Sequence, residues 1–258
     1  MTPPTPASPT VDAGDPRSDP PSDLRGVSAA VVLGAGTGSR VGARIDGVPV
    51  NKVLLPLGGV PVLARSLLTA LEAAGRVVLV VRAEEVGIVA EAIGPHLPAD
   101  AEVSVVAGGA SRHGSEWAAL RALASEVEAG SIELVAIHDG ARPLASVELW
   151  RACLTAAREH GGAVPAVAMP GLLGHDLARP TLPAGGLLAG MQTPQAFRAA
   201  PLLAAYRSAS ADGFEGTDTA SCFAAYTDLP VVAVPGSATN LKVTFPEDLA
   251  LAERLLAR

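Results

Sequence analysis

VVLGAGTGSRVGARIDGVPVNKVLLPLGG (residues 31–59) runs from a short apolar segment into a glycine-dense loop and out into a second apolar segment. Val31, Val32 and Leu33 are continuous, mostly β-branched and stopped by glycine, which is how a buried strand ends. Gly34, Gly36 and Gly38 have no Cβ, so the backbone there can turn tightly and bring its N–H groups against a bound group. N–H groups of that kind, ahead of a helix N-terminus, suit an anion, most often phosphate. Arg40 and Lys52 add two positive charges nearby, in a chain whose net charge is −7. Two familiar phosphate loops do not fit. No Gly-x4-Gly-Lys-Ser/Thr window exists, and a dinucleotide fingerprint fails because Ser39 and Val41 stand where its third glycine belongs. A glycine-rich αβ turn with no ligand is the plain alternative.

The surrounding chain defines the class. Residues 1–27 are dense in Pro, Ser and Asp and lack the basic start and apolar core of a signal peptide, so they read as a disordered tail. About 230 residues remain (28–258), enough for one α/β domain with a sizeable core. Hydrophobic residues make up 49% of the chain and aromatics only 3%, so that core is built from Ala, Val and Leu. No apolar run reaches the roughly 18 residues of a membrane span. Cys153 and Cys222 cannot make a disulfide framework, no CxxC or HxxxH spacing suits a structural metal, and both cysteines read as core residues. These features predict a soluble, reduced, cytoplasmic protein, and the acidic balance argues against nonspecific binding of nucleic acid.

Strand-like and helix-like segments alternate from residue 28 onward. Strands are expected at 29–33, 76–81, 103–107, 134–138 and 163–167, with helices at 61–74, 83–93, 111–127 and 147–159 between them. Residues 230–234 and 241–244 read as further short strands, and 249–256 as a last helix with acids in its first turn. Such alternation predicts βαβ units and a mostly parallel sheet whose right-handed crossovers align the strand C-ends on one edge. Ligands bind at that edge in open α/β sheets. Three polar clusters fall there: the glycine loop, GGASRHGS (108–115) and HDGARP (138–143). From about 170 to 190 the pattern lapses into Gly, Pro and Leu, as expected of an arm.

GAGTGSRVG with its downstream lysine, GGASRHGS, HDGARP, QTPQAF, TDTAS and NLKVTFPEDLALAE occur in one order over nearly the whole chain after the tail. In this the sequence resembles the 2-C-methyl-D-erythritol 4-phosphate cytidylyltransferases of the sugar nucleotidyltransferase superfamily. The resemblance implies a Rossmann-like three-layer α/β/α fold and a homodimer joined through the arm. It also implies transfer of CMP from CTP to a sugar-alcohol phosphate with Mg²⁺. By motif, Arg40 and Lys52 would grip the triphosphate, and Lys242 would meet the α-phosphate or the attacking phosphate. Gly34, Ala35, Gly36, Thr37 and Gly38 would cradle phosphate, and Gly108, Gly109 and Ser115 would read the base. Asp139 would contact the ribose or the metal, while Arg142 and Thr217 would face the acceptor. Plainer readings stand beside these: Asp139 and Arg142 as a local ion pair, Ser115 as a helix cap, His138 as a structural residue, and His113 as exposed.

The sequence departs from the family in the arm. Leu172 stands where an acceptor-binding threonine belongs, and counting back from Thr193 to the position of an acceptor-binding arginine reaches Gly185. Arg179 could substitute for that arginine. The departures leave two alternatives open: a related nucleotidyltransferase with another polyol or sugar phosphate, and a nucleotide-binding pseudoenzyme. Retention of Arg40, Lys52, Asp139, Arg142 and Lys242 together favours an enzyme.

Overall fold

The computed structural model describes residues 24–36, 44–45, 48–49, 51–169 and 188–257. Four parallel strands form its centre: β1 (Ser28–Leu33), β2 (Arg76–Val81), β3 (Val103–Ala107) and β4 (Leu134–Asp139). Four more complete one mixed sheet: β5 (Gly162–Ala168), β6 (Ala189–Met191), β7 (Gln195–Arg198) and β8 (Val231–Pro235). The order across the sheet is β6-β5-β7-β4-β1-β2-β3, with β8 alongside β5. The β1, β2, β3 and β4 pairings are parallel, as is β5 with β8, whereas β7 runs antiparallel to both β4 and β5.

Helices cover both faces, which explains why the inner stretches of β1, β2 and β4 are continuously apolar instead of alternating. Ala30 and Val32 of β1 face one core, shared with α1 (Val62–Ala73), α2 (Val86–Ile93) and α5 (Val147–His160). Ala29 and Val31 face the other, shared with α3 (Arg112–Ala122), α4 (Ala124–Glu128), α6 (Ala199–Asp212) and α7 (Thr219–Tyr226). Cys153 and Cys222 lie in these cores, and burial pushes both thiols up to about 12. A third, small cluster joins Leu57, Val62, Val243 and Ala252, the last from α8 (Pro246–Leu256).

Several expectations are corrected. Leu24–Val27, assigned to the tail, form a 3-10 turn whose Arg25 carbonyl accepts from Gly75 N–H at 2.7 Å. Residues 241–244 are not a strand. Their backbone finds no neighbouring strand, and Val243 N–H instead donates to the Ala141 carbonyl at 2.8 Å. The helix expected over 111–127 is broken at Leu123 into α3 and α4. β7, α6 and α7 were not anticipated: β7 is four residues long, and the buried face of α6 is half alanine, so its apolar period is faint. Most of the expected arm, residues 170–187, lies outside the described residues.

Candidate active site

The C-terminal ends of the central strands lie level, Leu33 beside Asp139 in β4 and beside Val80 in β2. A cavity of about 350 Å³ opens at this edge. Among the described residues its charged lining consists of Lys52, Arg112, Lys242 and Asp139, three cations against one carboxylate.

Asp139 is the last residue of β4 and is nearly buried. Its Oδ1 pairs with Arg112 Nη1 and its Oδ2 with Lys242 Nζ at 2.8 Å, while Arg142 Nε lies 3.6 Å from Oδ2. Burial alone would push this carboxyl up, but Arg112 and Lys242 outweigh it and hold the group well below the usual carboxylate range. The backbone of Asp139 is fixed as well. Its N–H donates to Thr193 Oγ1 at 3.0 Å, the Thr193 hydroxyl lies 3.1 Å from His138 Nδ1, and His138 Nε2 lies 3.1 Å from the Arg142 carbonyl. With Thr193 accepting from Asp139, its own proton goes to Nδ1, so a neutral imidazole protonated at Nε2 satisfies every member of the chain. Burial pushes His138 down to about 4, which keeps it neutral. The structural reading of His138 stands.

Lys242 is aimed by its neighbours. Val243 is fully buried in the third cluster and Leu241 packs against that cluster, so the lysine between them is turned towards Asp139. Lys52 begins a 3-10 turn capped by Asn51, whose side chain accepts from Val53 N–H. The Asn51 amide donates to the Gly34 carbonyl at 2.8 Å and to Glu85 Oε2 at 3.0 Å, tying Lys52 to the end of β1. On the far wall, α3 begins at a Ser111 cap whose Oγ accepts from Gly114 N–H at 3.0 Å. Gly109 runs so close to that turn that a Cβ on it would sit 2.7 Å from the Gly114 carbonyl carbon.

Ala35, Gly36, Gly109 and Ser115 also line the cavity. Gly34 and Gly108 do not: their N–H groups donate to the Val80 and Val81 carbonyls at 2.7 and 2.8 Å, extending the sheet. Ser115 is not the helix cap, a task that falls to Ser111; its hydroxyl donates back to the Ser111 carbonyl at 2.9 Å. Arg142 sits behind Asp139, outside the lining, and its Nη1 donates to the Asn240 carbonyl at 2.7 Å. Burial lowers the Arg142 pKa, against the pull of Asp139. Thr217 is exposed in the loop before α7, also outside the lining. Arg40, Thr37 and Gly38, with Leu172, Arg179 and Gly185 of the arm, lie outside the described residues.

Sequence reasoning missed Arg112 and Asn51. Arg112 had a legible sign, since a cation at the first position of a helix opposes the helix dipole and needs a specific anion to hold it. His113, expected to be exposed, is buried and stacks on Tyr206 with ring centroids 4.6 Å apart. Among the described residues no group of three His, Cys, Asp or Glu side chains could hold a metal ion, and Asp139 is the only acid in the cavity lining.

Comparison with known proteins places this arrangement. The profile of the 2-C-methyl-D-erythritol 4-phosphate cytidylyltransferase (IspD) family matches residues 28–258. A protein of that name from Cereibacter sphaeroides is 38% identical, covering 89% of this chain and 97% of its own. The bifunctional enzyme IspD/IspF of Clavibacter michiganensis subsp. michiganensis is 39% identical over 98% of this chain, which spans 58% of that longer protein. Among solved structures, the 4-diphosphocytidyl-2C-methyl-D-erythritol synthase of Anaerococcus prevotii superposes with a TM-score of 0.74 at 27% identity, covering 90% of this chain and 98% of that one. With its strand-end cavity, its cation-ringed aspartate and a profile match over the whole domain, the chain belongs to the 2-C-methyl-D-erythritol 4-phosphate cytidylyltransferase family.

Proposed function

We propose that the protein transfers the cytidylyl group of CTP to 2-C-methyl-D-erythritol 4-phosphate and releases pyrophosphate, a step in making isoprenoid precursors. The observation that carries this reading is the cavity wall, where Lys52, Arg112 and Lys242 converge with one carboxylate between the last two. A site with that excess of positive charge favours polyanions, and two phosphate-bearing substrates must meet there.

A phosphate oxygen of the acceptor attacks the α-phosphorus of CTP. A new P–O bond forms, and the bond to the β-phosphate breaks with its electron pair leaving on pyrophosphate. The second ionisation of a phosphate monoester lies near pH 6, so the attacking oxygen needs no general base at neutral pH. Catalysis is then positioning and charge stabilisation. Lys52 holds the triphosphate, assisted by Arg40 as the family motif implies, and Lys242 meets the charge that grows at the α-phosphorus. Arg142 holds Asp139 and the Asn240 carbonyl, so it braces the turn that carries Lys242; the family motif implies that it serves the acceptor from there.

Family members generally use a divalent metal, and we assign Mg²⁺ here. Both Asp139 oxygens already have cationic partners, so the residues present fit an ion held chiefly by substrate phosphates, with Asp139 as its one protein carboxylate. When bound, the ion neutralises phosphate charge and favours departure of pyrophosphate. The protein is read as a cytoplasmic homodimer joined through the arm. Exposed Met169, Leu188 and Met191, which flank the arm, support that surface, and no helix among the described residues is long and apolar enough to cross a membrane. Sedimentation velocity checks the dimer.

Leu172 and Gly185 favour a second reading, the same chemistry with a different polyol phosphate. Pyrophosphate release separates the two: CTP and Mg²⁺ are supplied with methylerythritol 4-phosphate or with ribitol 5-phosphate. Faster turnover with the former supports the proposal. Turnover with ribitol 5-phosphate alone assigns the second reading.

A further inference from the structure

Behind the wall of the cavity lies a carboxylate that the reaction does not touch. Glu116, one turn into α3, has no solvent exposure and is not part of the lining. Three donors converge on it from three helices. Arg112 Nε donates to Oε1 at 2.9 Å, the Thr219 hydroxyl donates to the same oxygen at 2.9 Å, and the Tyr206 hydroxyl donates to Oε2. Two oxygens that accept from three donors describe an ionised carboxylate. Burial pushes the Glu116 carboxyl up, and the Arg112 guanidinium works against it. A carboxylate taken out of water is costly unless fully partnered, so its place here calls for a reason.

Arg112 supplies the reason. It is the first residue of α3, where the helix dipole disfavours a cation, and its long side chain is free to leave the wall unless held. Glu116 takes Nε and Asp139 takes Nη1, which fixes the plane of the guanidinium from both sides. Nη2 makes no hydrogen bond among the described residues. We propose that Glu116 is a positioning residue: by pinning Arg112 Nε from behind, it holds the guanidinium in the cavity wall with Nη2 offered to the phosphates of a nucleoside triphosphate. The proposal rests on the reading of this cavity as a CTP site. Tyr206 and Thr219 serve the carboxylate and not the ligand, because neither lines the cavity.

The test is CTP binding by calorimetry, without acceptor, on Glu116→Gln, Arg112→Gln, the double variant and Tyr206→Phe, with urea unfolding of each. Glu116→Gln keeps the side-chain shape and should weaken CTP about tenfold, the value of one well-placed charge-assisted contact. In the Arg112→Gln background the same change should cost less than about twofold, because residues acting through one contact are not additive. Tyr206→Phe should lower stability and leave CTP affinity within about twofold of wild type. A folded Glu116→Gln protein that binds CTP like wild type overturns the proposal. So does an additive double variant, or a Tyr206→Phe loss equal to that of Glu116→Gln, since either would describe simple packing. Should Glu116→Gln fail to fold, side-chain NMR of ¹⁵N-arginine-labelled wild type decides: one Nε–H strongly protected from exchange, and absent in Arg112→Gln, upholds the link, and no such signal overturns it. Wild-type protein that binds no CTP would count against the proposed function, and the Arg112 Nε–H measurement would still decide the Glu116 link.

Discussion

Acidification should destabilise the protein through one histidine. His138 is buried beside Trp150 and held neutral, accepting from Thr193 and donating to the Arg142 carbonyl. Its pKa falls from 6.5 to about 4 on folding because burial disfavours the charged ring. Below the unfolded value the unfolded chain takes up a proton that the folded chain refuses. The contribution of His138 to stability therefore falls as pH drops through 6.5, and levels out below about 4. At 1.36 kcal/mol per pH unit the whole interval is worth ~3 kcal/mol, and about 2 kcal/mol of it lies between pH ~7.5 and ~5. Asp139 titrates beneath this window and does not interfere. Urea unfolding at the two pH values, for wild type and His138→Gln, isolates the effect, since the remaining histidines are common to both. Wild type should lose about 2 kcal/mol more than the variant on acidification. Equal losses would show instead that His138 is protonated in the folded protein.

Three further outcomes follow from the site. Lys242→Ala should lower kcat by about 10²–10³ while costing less than ~1 kcal/mol of stability, because its pair with Asp139 is partly exposed; steady-state kinetics beside a denaturation curve read both. Arg142→Ala removes a mostly buried side chain from Asp139 and the Asn240 carbonyl, and should cost about 2 kcal/mol in urea unfolding, Asp139 retaining its other two cations. Gly109→Ala places a Cβ 2.7 Å from the Gly114 carbonyl carbon, so the loop must move away from α3. CTP affinity by calorimetry should then fall about tenfold with the fold kept, as expected where the new atom meets backbone and not a flexible side chain.

The centre of the fold was legible because its strands are buried on both faces and interrupted by glycine. The ends of β1, β3 and β4 could be read to within a residue, and with them the edge where the cavity lies. Short antiparallel β7 was not, since four residues hold no period and its place between β4 and β5 is a tertiary choice. Nor was the shape of residues 241–244, where alternating apolar residues imitate a strand but pack against α8 and the Ala141 carbonyl instead. Within the site, motif order identified Lys52, Asp139, Ser115 and Lys242 as cavity-lining residues. It did not separate Gly36 and Gly109, which line the cavity, from Gly34 and Gly108, whose N–H groups continue the sheet. That difference depends on where the neighbouring carbonyl lies. Arg112 escaped because its anions are Asp139, distant in sequence, and Glu116, which shows itself as a partner only once α6 and α7 bury it.

Phosphorus NMR of one reaction mixture shows whether CTP and methylerythritol 4-phosphate are joined in the cavity around Asp139. The mixture holds the protein, CTP, methylerythritol 4-phosphate and Mg²⁺, with a Lys242→Ala sample in parallel. The acceptor monoester and the CTP signals should decline together. A new diphosphate diester and pyrophosphate should appear in equal amounts in wild type, and far more slowly in the variant. CTP that persists unchanged, or that yields pyrophosphate with CMP and no diester, would contradict it.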